Sequence, residues 1–283
     1  MYLEELALSR SRKTIQDYGN DLRRYGVWLA TAGITKPGKL KWEQVDKYMK
    51  WCKSEGKQNS TVKRYFMAIK GFCTYLRRKG IVTVEIEDNI RTPQVVTKAP
   101  RIPGGMDIAR MMKMPNLATE AGARDRAILE LLYSSGLRAG ELVELELRDW
   151  QGGQVFVHNG KGNKTRTVPV ADGAKGWIDS YVREYRGHEP GYLFVTVTHK
   201  RRMDTKVLAQ LVRRYGLEAG ISGLTTHTLR HICATHLLSR GADIRMIQIV
   251  LGHSSILTTQ RYTQYSSEQI NTAFHEIVKK EVA

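Results

Sequence analysis

Apolar residues return every three to four positions along much of the chain, the spacing that lines one face of a helix. Ile15, Tyr18, Leu22, Tyr25 and Leu29 form such a stripe, ending near Gly33. Val45, Tyr48, Met49 and Cys52 form a second. Val62, Phe66, Ile69, Cys73 and Leu76 form a third, opened by Ser60 as N-cap and closed by Gly80 just past its end. These three amphipathic stretches predict a small helical bundle. Pro93, Pro100 and Pro103 then cluster, although the chain has only 7 prolines, and Gly104 and Gly105 follow; this predicts an extended linker over 86–105. From Asp107 the helical pattern resumes with one interruption. Residues 154–158 and 165–170 read as strands, and Asn159-Gly-Lys-Gly-Asn-Lys164 joins them as a glycine-rich, doubly basic hairpin turn. Further helices are predicted over 173–186, 205–219, 226–239, 243–251, 255–263 and 268–280. The expected fold is mainly α with a small β-hairpin: a helical domain over 1–85, the linker, and a mixed domain over 106–283.

Composition adds a partner to this picture. The 283 residues exceed the usual size of one domain, so two are expected on length alone. Lys and Arg number 45 against 28 Asp and Glu, a formal +17, while apolar content is an ordinary 41%. Residues 1–100 carry 20 basic and 10 acidic side chains and the remainder 25 and 18, so the excess belongs to both halves rather than to a tail. Two basic folded domains fit a protein that wraps a polyanion, with plain solubility as the competing explanation. No apolar run is long enough for a membrane span, and Glu4 and Glu5 near the front do not fit a signal peptide, so no membrane association and a cytoplasmic location are expected. Cys52, Cys73 and Cys233 are an odd, widely spaced set inside apolar helical patterns, read as reduced core residues.

The candidate chemistry lies mostly in the second domain. Gly136 breaks one helix and Arg138 begins the next, projecting its side chain from a helix start. His227 and Arg230 are three apart on one predicted helix and share a face. His253 follows Gly252, a predicted C′ glycine, and Tyr262 lies nine residues later. Taken singly, each has a plain structural explanation: an exposed arginine, a satisfied histidine, a core tyrosine, a lysine in a solvated turn. Together, Arg138, Lys161, His227-x-x-Arg230, Gly252-His253 and Tyr262 resemble, in order and interval, the catalytic set of the tyrosine recombinases, the phage-integrase family. Within it the chain is similar to Xer-type recombinases, from the Arg138-x-x-Glu141 box through Gly160-Lys161-Gly-Asn-Lys164 and Thr228-Leu229-Arg230-His231 to Leu251-Gly252-His253-Ser254 and Thr258-Thr259-Gln260-Arg261-Tyr262.

The resemblance covers nearly the whole length and implies a core-binding, SAM-like N-terminal domain before a catalytic domain. It implies site-specific strand exchange through a covalent 3′-phosphotyrosine and a Holliday junction, on double-stranded DNA, by a homo-tetramer holding two duplexes. Cutting DNA without a metal calls for a nucleophile, a proton donor for the leaving 5′ oxygen and fixed positive charge around the phosphate. Tyr262 is the expected nucleophile, and Arg138 and Arg230 the clamp on the non-bridging oxygens, since a guanidinium offers two parallel donors. By resemblance Lys161 is the general acid, with Lys164 as competitor. His227 accepts the tyrosine proton, His253 hydrogen-bonds the phosphate, and Glu141 orients the site. Tyr265, one helical turn after Tyr262, lacks the interval from His253. Arg23, Arg24, Lys63, Arg64, Lys70, Arg77, Arg78 and Lys164 are candidate DNA contacts, against the alternative of a solvated helix face.

A zinc site from His227, His231, His236 and His253 is rejected, because Arg230 would put a cation beside the metal and no acidic ligand is near; no metal and no cofactor are expected. The final stripe of Ile270, Phe274 and Ile277 is read as a helix that either folds onto its own domain or, as the resemblance suggests, docks into a neighbouring protomer. Competing functions are a mobile-element integrase, a type IB topoisomerase and a catalytically silent DNA-binding protein. The absence of a further N-terminal arm-binding domain favours the Xer reading, and with it resolution of chromosome dimers.

Overall fold

The computed structural model describes residues 1–10, 12–83, 103–160, 164–252 and 274. The chain divides into two compact units, Met1–Pro100 and Arg101–Ala283.

The first unit is helical: α1 (Tyr2–Ala7), α2 (Arg12–Thr31), α3 (Trp42–Ser54) and α4 (Asn59–Arg78). The periodic apolar positions form its core, in which Tyr25, Val45, Tyr48, Cys52, Val62, Phe66, Ile69, Cys73 and Leu76 are all buried. Two local expectations are corrected. Gln58, not Ser60, precedes α4, and no side chain caps it; the buried run from Val62 to Leu76 fixes this helix without that cap. A short additional helix, α1, precedes the three predicted ones. Its Tyr2 ring packs on Phe72 and Tyr75 of α4 at centroid distances of 5.4 and 5.3 Å, a long-range contact that a six-residue helix needs because it is too short to stand by itself.

The second unit contains α5 (Gly105–Met112), α6 (Glu120–Ser135), α7 (Ala139–Glu144), the strands β1 (Gln154–Gly160) and β2 (Lys164–Pro169), then α8 (Asp172–Tyr181), α9 (Thr205–Glu218), α10 (Thr226–Ser239) and α11 (Ile244–Leu251). Gly104 is the N-cap of α5 and Gly105 its first residue, so these two belong to a helix rather than to the predicted linker. The fully buried Ala127, Ile128, Leu129, Leu131 and Leu132 make α6 the helix around which the unit is built, with α8 and α10 packed against it. β1 and β2 form an antiparallel hairpin with Val155 opposite Val168 and Val157 opposite Arg166, and an irregularity between Val157 and Gly160. The predicted helix over 173–186 is α8 followed by one π-helical turn, Val182–Arg186.

The predicted helix over 255–263 lies outside the described residues, as does that over 268–280 apart from Phe274. That residue is helical and fully buried with Cys233, Leu237, Met246, Ile247 and Leu251 of its own chain. Among the described residues no helix is long and apolar enough to cross a membrane.

Candidate active site

Three elements of the second unit, α7, β2 and α10, deliver side chains to one place, the C-terminal end of α11. Gly136 ends α6 in the left-handed conformation at φ 60°, and its N–H donates to Leu132 O. This turn carries the chain through the buried Leu137 to Arg138, the N-cap of α7. Glu141, in the first turn of α7, folds back: its Oε2 accepts the Arg138 backbone N–H at 2.9 Å and its Oε1 accepts Arg138 Nη1 at 2.7 Å. The carboxylate therefore caps the helix and holds the arginine at the same time.

α10 supplies the second arginine. Thr225 Oγ1 accepts from Thr228 N at the helix start, and the buried Leu229, Ile232, Cys233 and Leu237 fix its rotation. Arg230 is thereby turned inward, only 5% exposed, donating from Nη1 to Gly136 O at 2.7 Å and from Nη2 to Leu251 O at 2.6 Å. Burial, then the neighbouring Arg138 charge, pulls its pKa down to about 10, so the guanidinium remains a cation at neutral pH.

A third arginine, Arg166 on β2, was not among the predicted site residues. Its Nη1 and Nη2 bond Glu141 Oε1 and Oε2 at 3.0 and 2.9 Å, and its Nε donates to Val250 O at 3.3 Å. Strand alternation carries the signal that would have found it, since Arg166 has the parity of the fully buried Val168 and Val170 and must point inward with them. Burial would raise the Glu141 pKa, but the hydrogen bonds from Arg166 and from Arg138 outweigh it and hold the carboxyl down at about 2.

The last carbonyls of a helix have no partners within it and sit at the negative end of its dipole. Here the last two carbonyls of α11 and that of Gly252 after it are each capped by a guanidinium: Val250 O by Arg166, Leu251 O by Arg230 and Gly252 O by Arg138, the last at 2.8 Å. Gly252 itself is left-handed at φ 64°, as expected for a C′ glycine, and His253 follows it in sequence. Three guanidiniums facing one carboxylate leave a formal excess of two positive charges, suited to an anion with several acceptor oxygens.

The other predicted site residues divide into three groups. His227 is exposed at the start of α10, one turn before Arg230. Lys161, His253, Tyr262 and Tyr265 lie outside the described residues, and Lys164 opens β2. Of the zinc candidates, His231 is exposed and His236 Nδ1 is hydrogen-bonded to Tyr133 Oη at 2.9 Å. In the first unit, Arg23, Arg24, Lys63, Arg64, Arg77 and Arg78 are exposed and Lys70 is half-buried. Arg24 donates to Tyr65 Oη at 3.0 Å, Arg64 pairs with the buried Asp21 at 3.0 Å, Arg23 bonds Asn20, and Arg78 pairs with Glu5.

Comparison with known proteins places this arrangement. Residues 105–269 match the phage integrase family, and residues 1–80 match the phage integrase N-terminal SAM-like domain. Tyrosine recombinase XerD of Staphylococcus haemolyticus is 32% identical over 284 residues, covering 97% of this chain and 96% of that protein. The fold is that of XerH site-specific recombinase bound to palindromic difH substrate in a post-cleavage complex (TM-score 0.70, 19% identity, 95% of this chain and 77% of that one). It is also that of lambda integrase in a tetramer bound to a Holliday junction (TM-score 0.69, 17% identity, 97% and 75%). With both units matched and a relative aligned along almost its whole length, the chain belongs to the phage integrase family and is a Xer-type tyrosine recombinase, an enzyme that breaks and rejoins DNA strands.

Proposed function

We propose that Tyr262 cuts one strand of a specific duplex site and that the arginines at the end of α11 bind the phosphate under attack. The observation that carries this reading is the delivery of Arg138 and Arg230, from two helices far apart in sequence, to adjacent carbonyls beside Glu141. Tyr262 Oη forms a bond to phosphorus as the bond from phosphorus to the 5′ oxygen breaks. His227 takes the tyrosine proton, Lys161 protonates the departing oxygen, and His253 donates to a non-bridging oxygen. The phosphotyrosine keeps the bond energy, so a 5′ hydroxyl from another strand reverses the step and rejoins DNA without a cofactor.

In this reading residues 1–85 bind the core of the site and 106–283 carry the chemistry, linked by the Pro-rich segment. Four protomers hold two duplexes through a Holliday junction, a reading supported by the lambda integrase tetramer bound to a Holliday junction. The C-terminal stretch that contains Phe274 is the piece a neighbour receives in the tetramer, because the contact that Phe274 makes within its own chain can be remade between two protomers. Resolution of chromosome dimers is the role this chemistry serves.

The test is incubation with nicked duplexes of genomic DNA in the presence of chelator, followed by a search for an SDS-resistant adduct mapped by mass spectrometry. An adduct on Tyr262 that disappears in Tyr262→Phe while DNA binding persists supports the proposal. A Phe variant that still recombines DNA overturns the nucleophile. Relaxation of supercoiled plasmid without strand exchange favours the topoisomerase reading, and tight binding with no adduct at any site favours the silent binder.

A further inference from the structure

We infer that Arg166 is a positioning residue for strand cleavage: it shares Glu141 with Arg138 and ties the hairpin to the end of α11, keeping Arg138 free to act on phosphate. The inference rests on the reading of Arg138 and Arg230 as the phosphate clamp.

The three guanidiniums are not equivalent. The described bonds of Arg138 and Arg230 leave each guanidinium with N–H groups to spare. All three guanidinium nitrogens of Arg166 are engaged, both Nη with the two Glu141 oxygens and Nε with Val250 O, whereas the described bonds of Arg138 and Arg230 use only their Nη atoms, and the Arg138 side chain is 37% exposed against 14% for Arg166. It is placed to hold the site rather than to touch DNA. Without it, both Glu141 oxygens would turn on Arg138 alone and neutralise the one clamp residue that faces solvent. Arg166 also lies on the strand that follows Lys161 in sequence, opposite Val157, and so couples that hairpin to the helix end that precedes His253. Gly252 supports the same geometry: a Cβ there would fall 2.8–3.0 Å from the Arg166 guanidinium, so a side chain at this left-handed position would push Arg166 off its partners.

Arg166→Ala, Arg166→Lys and Gly252→Ala are compared with wild type for the single-turnover rate of adduct formation on the nicked duplex that wild type cleaves. Duplex affinity and melting temperature are measured alongside. Displacement of a clamp by about 1 Å is enough to lower the cleavage rate about 100-fold, the effect expected in all three variants. Affinity for the duplex should stay within about threefold, since the loss falls on the chemical step. Lys should not rescue, because one ammonium cannot bond both carboxylate oxygens and the Val250 carbonyl. Millimolar guanidinium added to Arg166→Ala should restore part of the rate and leave wild type unchanged, a response that a collapsed fold would not give. Arg166→Lys cleaving like wild type, or a rate loss in Arg166→Ala that follows lost duplex binding and ignores guanidinium, overturns the inference. A wild-type chain that forms no adduct on any duplex overturns the clamp reading with it, whereas an active wild type with equally active variants removes only the role of Arg166.

Discussion

Glu141 is the carboxylate, among the described residues, on which the site's arginines converge. Two arginines and a backbone N–H converge on its two oxygens, and its side chain is 8% exposed. Its pKa, held near 2 against an ordinary value of 4.5, sets a pH window. A depressed carboxyl contributes stability that is present above 4.5 and is lost as pH falls from 4.5 through about 2. Glu141→Gln should therefore be less stable than wild type at pH 6, with the gap in urea midpoint narrowing towards pH 2; a gap independent of pH would remove the charge from the explanation. At this scale the sequence was informative where a motif recorded it. Arg138, Glu141 and Arg230 were named from their intervals, and the structure joins all three. Arg166 was missed although it shares parity with Val168 and Val170, because a basic residue in a two-stranded hairpin is ordinarily read as facing water.

Helices and strands were largely legible because their signals are local. The apolar stripes located α2, α3 and α4, and the two strand-like runs joined by the glycine-rich turn located β1 and β2. What escaped was settled by distant contacts: α1 by its ring packing on α4, and the start of α4 by the bundle core rather than by a cap. The junction between α6 and α7 shows how an element boundary becomes a site. A Cβ on Gly136 would lie 2.4 Å from Leu251 Cδ2 and 3.3 Å from Cys233 Sγ, at a left-handed φ. Gly136→Ala combines about 1–2 kcal/mol of backbone cost with overpacking of about 1–3 kcal/mol, and it disturbs the carbonyl that accepts Arg230. Gly140 in α7 has no neighbour within 4 Å of such a Cβ, so Gly140→Ala should be neutral or add up to about 1 kcal/mol. Chemical denaturation of the pair checks this, and equal losses in both would contradict the argument.

Each unit of the molecule holds its own core, and both carry positive charge. Within the second unit, Asp125 of α6 is buried at 2% exposure and binds Arg124, Arg214 and the Tyr215 hydroxyl, joining α6 to α9. Asp125→Ala leaves that cluster of cations without its anion and should cost about 3–5 kcal/mol, read as a fall in melting temperature of the second unit. A loss below 1 kcal/mol, within the range of exposed pairs, would show that the cluster is solvated. The formal +17 makes a separate prediction for the whole chain: duplex affinity should fall about 10³-fold or more between about 50 and 200 mM salt, and a flat response would detach the charge from DNA binding. Periodicity, composition and motif spacing by themselves determined the two-part helical plan, the hairpin, the basic character and the candidate residues of the site, because each is written in near-neighbour order along the chain. Only the tertiary structure decided that Arg166 shares Glu141 with Arg138, and that three guanidiniums cap three successive carbonyls, the last two of α11 and that of Gly252 after it. Such pairings depend on how α7, β2, α10 and α11 approach one another across buried space, where charge must find a partner and one-dimensional spacing does not record which.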